Sequence, residues 1–406
     1  MKIGIIKEGK VPQDRRVPFT PKQCKIIQEK YLDLEIKVQK SDIRCYQDSE
    51  YEAEGVEVVD SVSDCDILFG VKEVPIEQLI PNKTYLYFSH THKLQDYNQK
   101  LIRANIDKNI RLIDYECLLK PNGQRVLGFG RFAGLVGAYN AFLAYGKKFK
   151  TFDLRPANQC HDLEDMMGQL KEVILNKEKI VLTGKGRVAR GAKEILDALG
   201  IEKVESEAFL SQDFNASVYA MINVQDYIKH PEKAQWTNKD FFANPEGYES
   251  DFLKYCAVAD IFIAGHFWDN RSPVFFTEDE YKSGKVNFKL IADISCDIAD
   301  PIPTTLRPST IDSPCYDVMN GQLIEKPAYS NIDNLTVMAV DNLPCELPRD
   351  ASESFGKILM SDIIPCFAEG DDEDILKNAT ICSRGELTDK FAYMQEFVDG
   401  HTQSAC

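Results

Sequence analysis

The stretch Lys179–Gly200, KIVLTGKGRVARGAKEILDALG, decides the fold of this chain. An apolar run of strand length, Ile180 to Leu182, leads into a turn that contains Gly184 and Gly186. Small and apolar residues then recur at helical spacing, at Val188, Ala189, Ala192, Ile195, Leu196 and Leu199. A strand that enters a helix through glycines lets backbone N–H groups approach a pyrophosphate at the positive end of the helix dipole. The turn reads G-x-G-x-x-A and therefore predicts a dinucleotide-binding strand–turn–helix unit.

The length and composition of the chain predict a two-domain globular protein. At 406 residues it is too long for one ordinary domain. Its 44% hydrophobic and 28% charged residues have the balance of a folded protein. The formal net charge of −16 argues against a nucleic-acid partner, which would need a basic face. No apolar stretch approaches the roughly 20 residues that span a bilayer, and Glu8 interrupts the short apolar run at the N-terminus, so we expect neither a membrane segment nor a signal peptide.

The twelve cysteines are scattered singly from Cys24 to Cys406, without a C-x-x-C pair. This spacing fits neither a zinc site nor a small disulfide framework. We therefore expect no bound metal, mostly buried thiols in a reducing cytoplasm, and an exposed Cys406 at the terminus.

The first third of the chain alternates strand and helix patterns, which predicts a mostly parallel sheet. The predicted strands are Lys2–Ile6, Leu34–Gln39, Asp66–Val71, Thr84–Phe88 and Arg111–Asp114, with helices over Pro21–Lys30 and about Leu94–Ala104. In such sheets ligands bind outside the carboxyl ends of the strands. Four residues with reactive side chains lie in loops after predicted strands: Arg16, Lys72, His90 and Glu116. Any one of them is commonly a solvated loop residue, but four such residues, each after a different strand, indicate a functional site.

The second part of the chain carries further strand and helix patterns. We expect a small-residue helix after Arg125–Gly134 to cross into a second domain, and helical structure over Lys147–Lys179. A short strand, Lys203–Glu205, ends in an acid about twenty positions beyond the glycines. Such an acid can bind the adenosine ribose and repel a 2′-phosphate, although Glu207 is close enough to do the same. The remaining predictions are loops and short helices over Gln212–Phe252, strands over Ala259–Gly265 and Leu290–Ser295, and helices over Ser352–Ile363 and Leu387–Val398.

Motifs spread over nearly the whole chain resemble those of one enzyme superfamily. They are KIGIIKEGK and DRRVPFTP near the N-terminus, GVKEVP at 70–75, YFSHTHKLQ at 87–95, IRLIDYECL at 110–118, RVLGFGRFAGLVGA at 125–138, ADISCDIADP at 292–301, DNLPCELPRDASESFG at 341–356 and ICSRGELTDKFAYMQ at 381–395. Together they are similar to the alanine dehydrogenase and transhydrogenase superfamily. Within it they most resemble the saccharopine dehydrogenase branch, which includes the lysine–ketoglutarate reductase part of bifunctional lysine-degrading enzymes.

The resemblance implies an α/β protein of two Rossmann-like domains with mostly parallel sheets, separated by a cleft, the first domain being discontinuous. Residues 1–130 and about 342–406 would form the substrate domain, and residues 131–341 the dinucleotide-binding domain. It implies a cytoplasmic oxidoreductase that uses NAD, with NADP as the alternative. Such an enzyme interconverts saccharopine with L-lysine and 2-oxoglutarate through an imine.

The resemblance also assigns residues by motif. In this family the matching lysine and histidine are acid–base groups and the matching glutamate tunes the lysine, here Lys72, His90 and Glu116. The implied substrate-binding residues are Arg16, Arg125, Lys93 and Phe129. The implied cofactor-binding residues are Gly184, Gly186, Arg187, Val188, Ala189, Glu205, Asp293, Asp297, Asp341, Asn342 and Leu343.

The implied reaction requires residues of these types. Oxidation of a secondary amine leaves an iminium that water attacks, and each step moves a proton near neutral pH, which suits a histidine and a lysine of lowered pKa. Saccharopine has three carboxylates, which arginines bind well. Two alternatives stay open: a dehydrogenase of the same fold for another amino acid such as alanine, and a non-catalytic nucleotide sensor. The roles of His92 and Arg131, the direction of the reaction and the oligomeric state also stay open.

Overall fold

The computed structural model describes residues 1–400 and divides the chain into two compact units. The first unit comprises Met1–Phe129 and the chain from Pro348 onward, and the second unit comprises Gly130–Leu347. The chain returns to the first unit between Leu347 and Pro348, six residues later than the expected boundary at 341/342. The reason is local, because the Leu343 side chain is buried and Glu346 accepts a hydrogen bond from Asn140 of the second unit, at 2.8 Å. Cys406 lies outside the described residues.

The described strands are short and are numbered here in chain order. They are β1 (Lys2–Ile5), β2 (Glu35–Gln39), β3 (Glu57–Val59), β4 (Ile67–Phe69), β5 (Thr84–Tyr87), β6 (Arg111–Asp114), β7 (Lys179–Thr183), β8 (Glu202–Lys203), β9 (Val218–Ile222), β10 (Ile228–Lys229), β11 (Glu249–Ser250), β12 (Ile261–Ala264), β13 (Leu290–Asp293), β14 (Cys315–Val318), β15 (Glu325–Lys326), β16 (Leu335–Met338), β17 (Thr380–Ser383) and β18 (Glu386–Leu387).

The α-helices of the described residues connect these strands. They are α1 (Pro21–Lys30), α2 (Asp48–Ala53), α3 (Gln99–Asp107), α4 (Gly130–Phe149), α5 (Leu163–Gln169), α6 (Arg187–Ala198), α7 (Ser206–Ser211), α8 (Val224–Tyr227), α9 (Asn238–Ala243), α10 (Leu253–Cys256), α11 (Glu278–Lys282), α12 (Pro348–Ile358), α13 (Ile364–Ala368), α14 (Ile375–Ala379) and α15 (Gln395–Asp399). None of them is long and apolar enough to cross a membrane.

The first unit is built on an eight-stranded sheet with the order β18-β17-β6-β5-β4-β1-β2-β3. The strands from β6 to β3 are parallel to their neighbours, and β17 and β18 add an antiparallel edge. The apolar strand residues enter two buried clusters, one of which includes Ile5, Phe69 and Leu86, and the other Leu68 and Tyr85. Because β1, β4, β5 and β6 are adjacent and parallel, the loops after them meet at one edge of the sheet.

The second unit is built on another eight-stranded sheet, with the order β15-β14-β16-β13-β12-β7-β9-β8. The strands from β16 to β8 are parallel, and β14 and β15 are antiparallel. A separate antiparallel pair joins β10 and β11. The long helix α4 packs closely on α6, since a Cβ on Gly134 would lie 1.9 Å from the Val188 carbonyl oxygen and one on Gly191 would lie 2.0 Å from the Arg131 carbonyl oxygen.

Four of the predicted elements differ from the structure. The segment Gln212–Phe252, expected to be loops and short helices, contains β9, a buried strand inside the sheet. The segment Lys147–Lys179, expected to be helical, has only the short helix α5 and 3₁₀ turns after α4 ends at Phe149. The expected helix Leu387–Val398 begins instead with the end of β18 and a 3₁₀ turn, and only its last residues join α15. The expected strand Lys203–Glu205 is β8, which ends at Lys203, because Glu205 caps α7.

Candidate active site and nucleotide site

Lys72 lies in the loop after β4, in the first unit, where a buried carboxylate holds the backbone. Glu8 accepts hydrogen bonds from the N–H groups of Val71 and Lys72, at 2.6 and 2.9 Å. Burial raises the pKa of Glu8 to about 8. Burial also lowers the pKa of the Lys72 ammonium, and the nearby positive charges of Arg16 and Lys10 lower it further. Lys72 therefore releases its proton more readily than an exposed lysine does.

Glu73, the next residue, connects a lysine to a histidine. Its carboxylate oxygens lie 2.7 Å from Lys10 Nζ and 2.8 Å from His90 Nδ1. Burial opposes ionisation, but the hydrogen bonds with His90 and Lys10 outweigh it and lower the pKa of Glu73 to about 2. An ionised carboxylate can only accept hydrogen bonds, so Nδ1 of His90 carries the shared hydrogen. In the neutral ring Nε2 is then the free base, and it faces Glu116 Oε2 at 3.9 Å.

His90 is positioned by a fully buried aspartate that joins the loops after β5 and β6. Asp114 Oδ2 accepts hydrogen bonds from Ser89 N at 2.8 Å, Ser89 Oγ at 2.5 Å and His90 N at 3.1 Å. Its other oxygen accepts from Glu116 N at 2.7 Å. His90 has a left-handed backbone, with φ of 54°, which costs energy in a residue with a Cβ. The hydrogen bonds to Asp114 hold this conformation and fix the spacing of His90 and Glu116.

Glu116 is surrounded by basic side chains. Lys93 Nζ lies 3.0 Å from Oε2, Arg125 Nη1 lies 3.3 Å from Oε1, and His92 Nε2 lies 3.8 Å from Oε2. Burial raises the pKa of Glu116, but Arg125 and Lys93 outweigh that effect and the net shift is downward. Glu116 is therefore ionised at neutral pH and holds Lys93 and Arg125 together on one side of His90.

Arg16 forms a buried ion pair in the loop after β1. Its Nε and Nη2 atoms donate to the two oxygens of Asp14, at 3.0 and 2.5 Å, and both side chains are almost completely buried. The guanidinium lies over the ring of Phe129, 4.1 Å from its centroid, and that ring stacks on Phe355 at 4.6 Å. Fixed on two sides in this way, Arg16 is a preorganised cation of the kind that binds carboxylates.

The structure thus joins Lys93, Arg125, His90 and Glu116 by contacts, and Lys72 lies within electrostatic reach of Arg16. Phe129 serves as the platform for Arg16 and packs in the core. Sequence reasoning missed five residues of this group: Glu8, Lys10, Asp14, Glu73 and Asp114. For Glu73 a signal existed, because it directly follows Lys72 in GVKEVP.

His92, Asp114 and Cys117 come close enough to resemble a metal site, since one ligand atom from each lies within 4.8 Å of the others. The chemistry of the three groups does not favour a metal ion. The Asp114 oxygens already accept four hydrogen bonds, and burial raises the pKa of the Cys117 thiol to about 12. Metal binding requires the thiolate, so we do not assign a metal ion to this trio.

The glycine turn in the second unit has the geometry of a pyrophosphate site. Gly184 has φ of 94°, and a Cβ there would lie 2.7 Å from the Gly265 carbonyl oxygen, so only glycine fits. Gly186 is the N-cap of the twelve-residue helix α6, makes no side-chain cap, and would place a Cβ in open space. Arg187, Val188 and Ala189 form the first turn of α6. A phosphate can therefore approach the helix N-terminus closely, and these residues fit a dinucleotide.

The other predicted cofactor residues are spread over the same edge of the second sheet. Asp297 is exposed in the loop after β13, and Asp341 and Asn342 follow β16. Glu205 lies on the surface after β8, with its side chain 90% exposed. Because β9 separates β8 from β7, Glu205 is not in the strand position beside the glycine turn that the spacing argument assumed.

Asp293 and Leu343 were also predicted to bind the cofactor, and the structure buries both side chains. Asp293 is fully buried and accepts hydrogen bonds from Ser295 N and Oγ, Cys296 N and Thr305 Oγ1, at 2.6 to 3.1 Å. It therefore shapes the loop after β13. The Leu343 side chain is buried as well, in the 3₁₀ turn Leu343–Glu346.

Two further side chains near the turn have partners in the structure. His266 follows β12 and shares a hydrogen bond of 2.8 Å between Nδ1 and Thr183 Oγ1, and burial lowers the pKa of its ring to about 3. His266 is therefore neutral at physiological pH. Arg131, whose role the sequence left open, pairs with Glu194 of α6 through Nε and Nη2, at 2.8 and 2.6 Å.

Comparisons with known proteins agree with the resemblance. Residues 4–136 match the family model described as alanine dehydrogenase/PNT, N-terminal domain. The alpha-aminoadipic semialdehyde synthase of Arabidopsis thaliana is 29% identical over 99% of this chain, which spans 42% of that longer protein. The saccharopine dehydrogenase [NAD(+), L-lysine-forming] of Schizosaccharomyces pombe is 25% identical over 87% of this chain and 90% of its own length. A solved L-alanine dehydrogenase has a TM-score of 0.66 at 16% identity, covering 99% of this chain and all of its own.

These findings confirm the predicted likeness to the saccharopine dehydrogenase and lysine–ketoglutarate reductase branch of the superfamily. The predicted class of two Rossmann-like α/β units with mostly parallel sheets is confirmed by the two sheets and by the fold shared with L-alanine dehydrogenase. The Schizosaccharomyces pombe relative is by its name a dehydrogenase that uses NAD(+).

Proposed function

We propose that this protein is a pyridine-nucleotide-dependent oxidoreductase that interconverts saccharopine with L-lysine and 2-oxoglutarate. The observation that carries the proposal is the cluster at one edge of the first sheet. The cluster contains Lys72, whose pKa is lowered by burial, and His90, whose ring is oriented by the ionised carboxylate of Glu73. The cations Lys93 and Arg125 belong to the same cluster. Relatives with these names are similar to the chain over most of its length.

The reaction requires several proton movements around one hydride transfer. The protonated secondary amine of saccharopine must lose a proton before its carbon can give up a hydride and become an iminium. Water then adds to the iminium carbon and loses a proton. The resulting carbinolamine breaks its C–N bond as its nitrogen gains a proton and its hydroxyl loses one, which leaves the ketone of 2-oxoglutarate, and the released lysine amine takes up a proton. When bound, the pyridine nucleotide supplies the hydride acceptor in this direction. The net change consumes one water and releases 2-oxoglutarate, lysine and a proton.

The two acid–base groups suit different steps. A neutral Lys72 can accept the proton of the secondary amine, and its lowered pKa makes that form accessible. His90 Nε2 can accept a proton from the attacking water and return one to the departing amine, because Glu73 holds the other ring nitrogen. Glu116 lies 3.9 Å from Nε2 and stabilises the charged ring between the two transfers.

The cations of the cluster match the three carboxylates of saccharopine. Arg16 is rigidly held by Asp14 and Phe129, while Lys93 and Arg125 are about 40% exposed beside Glu116. In the second unit the backbone of Gly184, Gly186 and the first turn of α6 would hold the pyrophosphate of the nucleotide.

The test is oxidation of reduced nucleotide by the purified full chain. We expect loss of NADH or NADPH absorbance only when lysine and 2-oxoglutarate are both present. Turnover with pyruvate and ammonia instead would identify a dehydrogenase for alanine. Nucleotide binding without turnover of either substrate set would indicate the sensor.

The role of Lys72 is tested by Lys72→Met. Without the lysine amine we expect kcat to fall at least a hundredfold, as general acid–base groups contribute about 10²–10⁴, while nucleotide affinity stays within twofold. Lys22→Met, a change of an exposed lysine on α1, is the matched control and should leave kcat unchanged. A collapse of nucleotide affinity in Lys72→Met would contradict the assigned role.

A further inference from the structure

His92, whose role the sequence left open, lies between two carboxylates of the first unit. It belongs to the 3₁₀ turn Thr91–Lys93, and its carbonyl oxygen accepts a hydrogen bond from Tyr393 Oη at 3.1 Å. Its Nδ1 atom lies 3.8 Å from Asp114 Oδ2, and its Nε2 atom lies 3.8 Å from Glu116 Oε2. Nδ1 is buried without a hydrogen-bond partner, and the side chain as a whole is 19% exposed. Each ring nitrogen therefore has a carboxylate oxygen toward which it can carry a proton.

His92 and His90 share one of these oxygens. Glu116 Oε2 lies 3.8 Å from Nε2 of His92 and 3.9 Å from Nε2 of His90. Both contacts are about 1 Å longer than a hydrogen bond, so a small rotation of either ring closes one of them. Lys93 and Arg125 already take part of the charge of Glu116. Because this one carboxylate cannot also neutralise two charged rings, a proton on one ring makes a proton on the other less favourable.

The negative charge beside His92 is less compensated than the charge beside His90. Within residues 1–400, His92 is the one basic side chain that pairs with Asp114. Burial opposes the ionisation of Asp114, but His92 and the hydrogen-bond donors around the carboxylate outweigh it and lower its pKa. Glu73, which faces Nδ1 of His90, is already paired with Lys10 at 2.7 Å. As the pH falls, we therefore expect the first proton to bind at His92.

Two further titratable groups beside His92 do not change this order. Cys117 lies close to the ring, but burial raises the pKa of its thiol to about 12, so it is uncharged. Burial also raises the pKa of the Tyr393 hydroxyl, which contacts only the backbone oxygen of His92. The charges that His92 meets are therefore those of Asp114 and Glu116.

We propose that His92 is a positioning residue that acts on His90 through Glu116: it takes the first proton as the pH falls, and its charge keeps His90 Nε2 free as a base to lower pH. The inference rests on the proposed function, in which His90 Nε2 accepts the proton of the attacking water. A positive charge several ångströms away near a protein surface moves a titration midpoint by about one pH unit.

The test follows the histidine ring signals of the full chain by NMR without substrate and measures the pH profile of kcat/KM for saccharopine oxidation. His92→Gln should raise the titration midpoint of His90 by about one pH unit, and the acidic limb of the profile should rise equally. His92→Lys, which keeps a positive charge, should leave both near their wild-type values. His161→Gln, a change of an exposed histidine in the second unit, is the control and should alter neither. Thermal unfolding checks that all three variants fold.

The outcomes separate the inference from the function on which it rests. If His90 titrates at the same pH in the wild type and in His92→Gln, the inference is wrong. It is also wrong if His92→Lys moves the midpoint as far as His92→Gln does, because the ring then acts by its shape and not by its charge. The expected NMR shifts in a chain without turnover would support the coupling and refute the proposed oxidoreductase. Turnover whose acidic limb does not follow the His90 midpoint would overturn the role given to His92.

Discussion

Glu346 offers a sharp test of the electrostatics inside the second unit. Its carboxyl is 3% exposed, and the hydrogen bond from Asn140 Nδ2, at 2.8 Å, is too little to compensate its burial. Burial raises the pKa of Glu346 from 4.5 to about 8, with Asn140 opposing the shift. The folded protein therefore keeps a proton on Glu346 over a pH range in which the unfolded chain has already released it.

The sign and size of the effect follow by linkage. Below pH 4.5 both states hold the proton and the full stability is present. As the pH rises from there to about 8, the free energy of unfolding falls by about 1.4 kcal/mol per pH unit, or roughly 5 kcal/mol in all. Glu346→Gln keeps an oxygen for Asn140 but cannot ionise, so the variant should lack this loss. Its stability relative to the wild type should rise steadily between pH 5 and pH 8.

The assay is urea unfolding followed by tryptophan fluorescence at several pH values. Both tryptophans of the chain, Trp236 and Trp268, lie in the second unit, so their signal reports the unit that contains Glu346. Glu172→Gln, a change of an exposed glutamate in the same unit, is the control and should track the wild type at every pH. Parallel stability curves for the wild type and Glu346→Gln from pH 5 to pH 8 would refute the reasoning.

Further predictions concern the helix crossing and the acid–base network. Gly191→Ala should lower the Tm and the free energy of unfolding, by about 3 kcal/mol, since its Cβ would lie 2.0 Å from the Arg131 carbonyl oxygen. A Cβ on Gly186 would have no atom within 4 Å, so Gly186→Ala should keep the wild-type Tm while weakening nucleotide binding. Equal losses of Tm in Gly186→Ala and Gly191→Ala would contradict this. Glu73→Gln removes a negative charge that raises the pKa of Lys72. The limb of the pH profile of kcat/KM that reports the ionisation of Lys72 should therefore move to lower pH. An unchanged profile would show that Glu73 does not act on Lys72.

Much of the candidate site could be predicted because reactive side chains follow apolar strands in the sequence. Lys72 and His90 come directly after strand patterns, and parallel strands bring such loops to one edge. The start of α1 at Pro21 was also predicted, and in the structure Thr20 closes it with a complete capping box. These features depend on local sequence alone.

The parts that failed depend on burial and on strand order. Glu73 directly follows Lys72 in the sequence, but such a pair is commonly surface charge, and its contacts with Lys10 and His90 are what define its role. The strand β9 has five residues in a polar neighbourhood, so a local pattern gave no sign that it enters the sheet beside β7. The assignment of Glu205 stays a prediction, but the residue count behind it assumed that consecutive strands are also neighbours, whereas β9 lies between β8 and β7.

The low pKa of Glu73 has a consequence for how the two acid–base groups work together. This one carboxylate orients the His90 ring and also raises the pKa of Lys72 by its charge. If Glu73 titrated near neutral pH, protons arriving at it would change the basicity of Lys72 and the tautomer of His90 at the same time. Its hydrogen bonds with His90 and Lys10 hold its pKa at about 2, far below that range. In the proposed reaction, Lys72 and His90 would therefore exchange protons with the substrate while the group that tunes them both stays ionised.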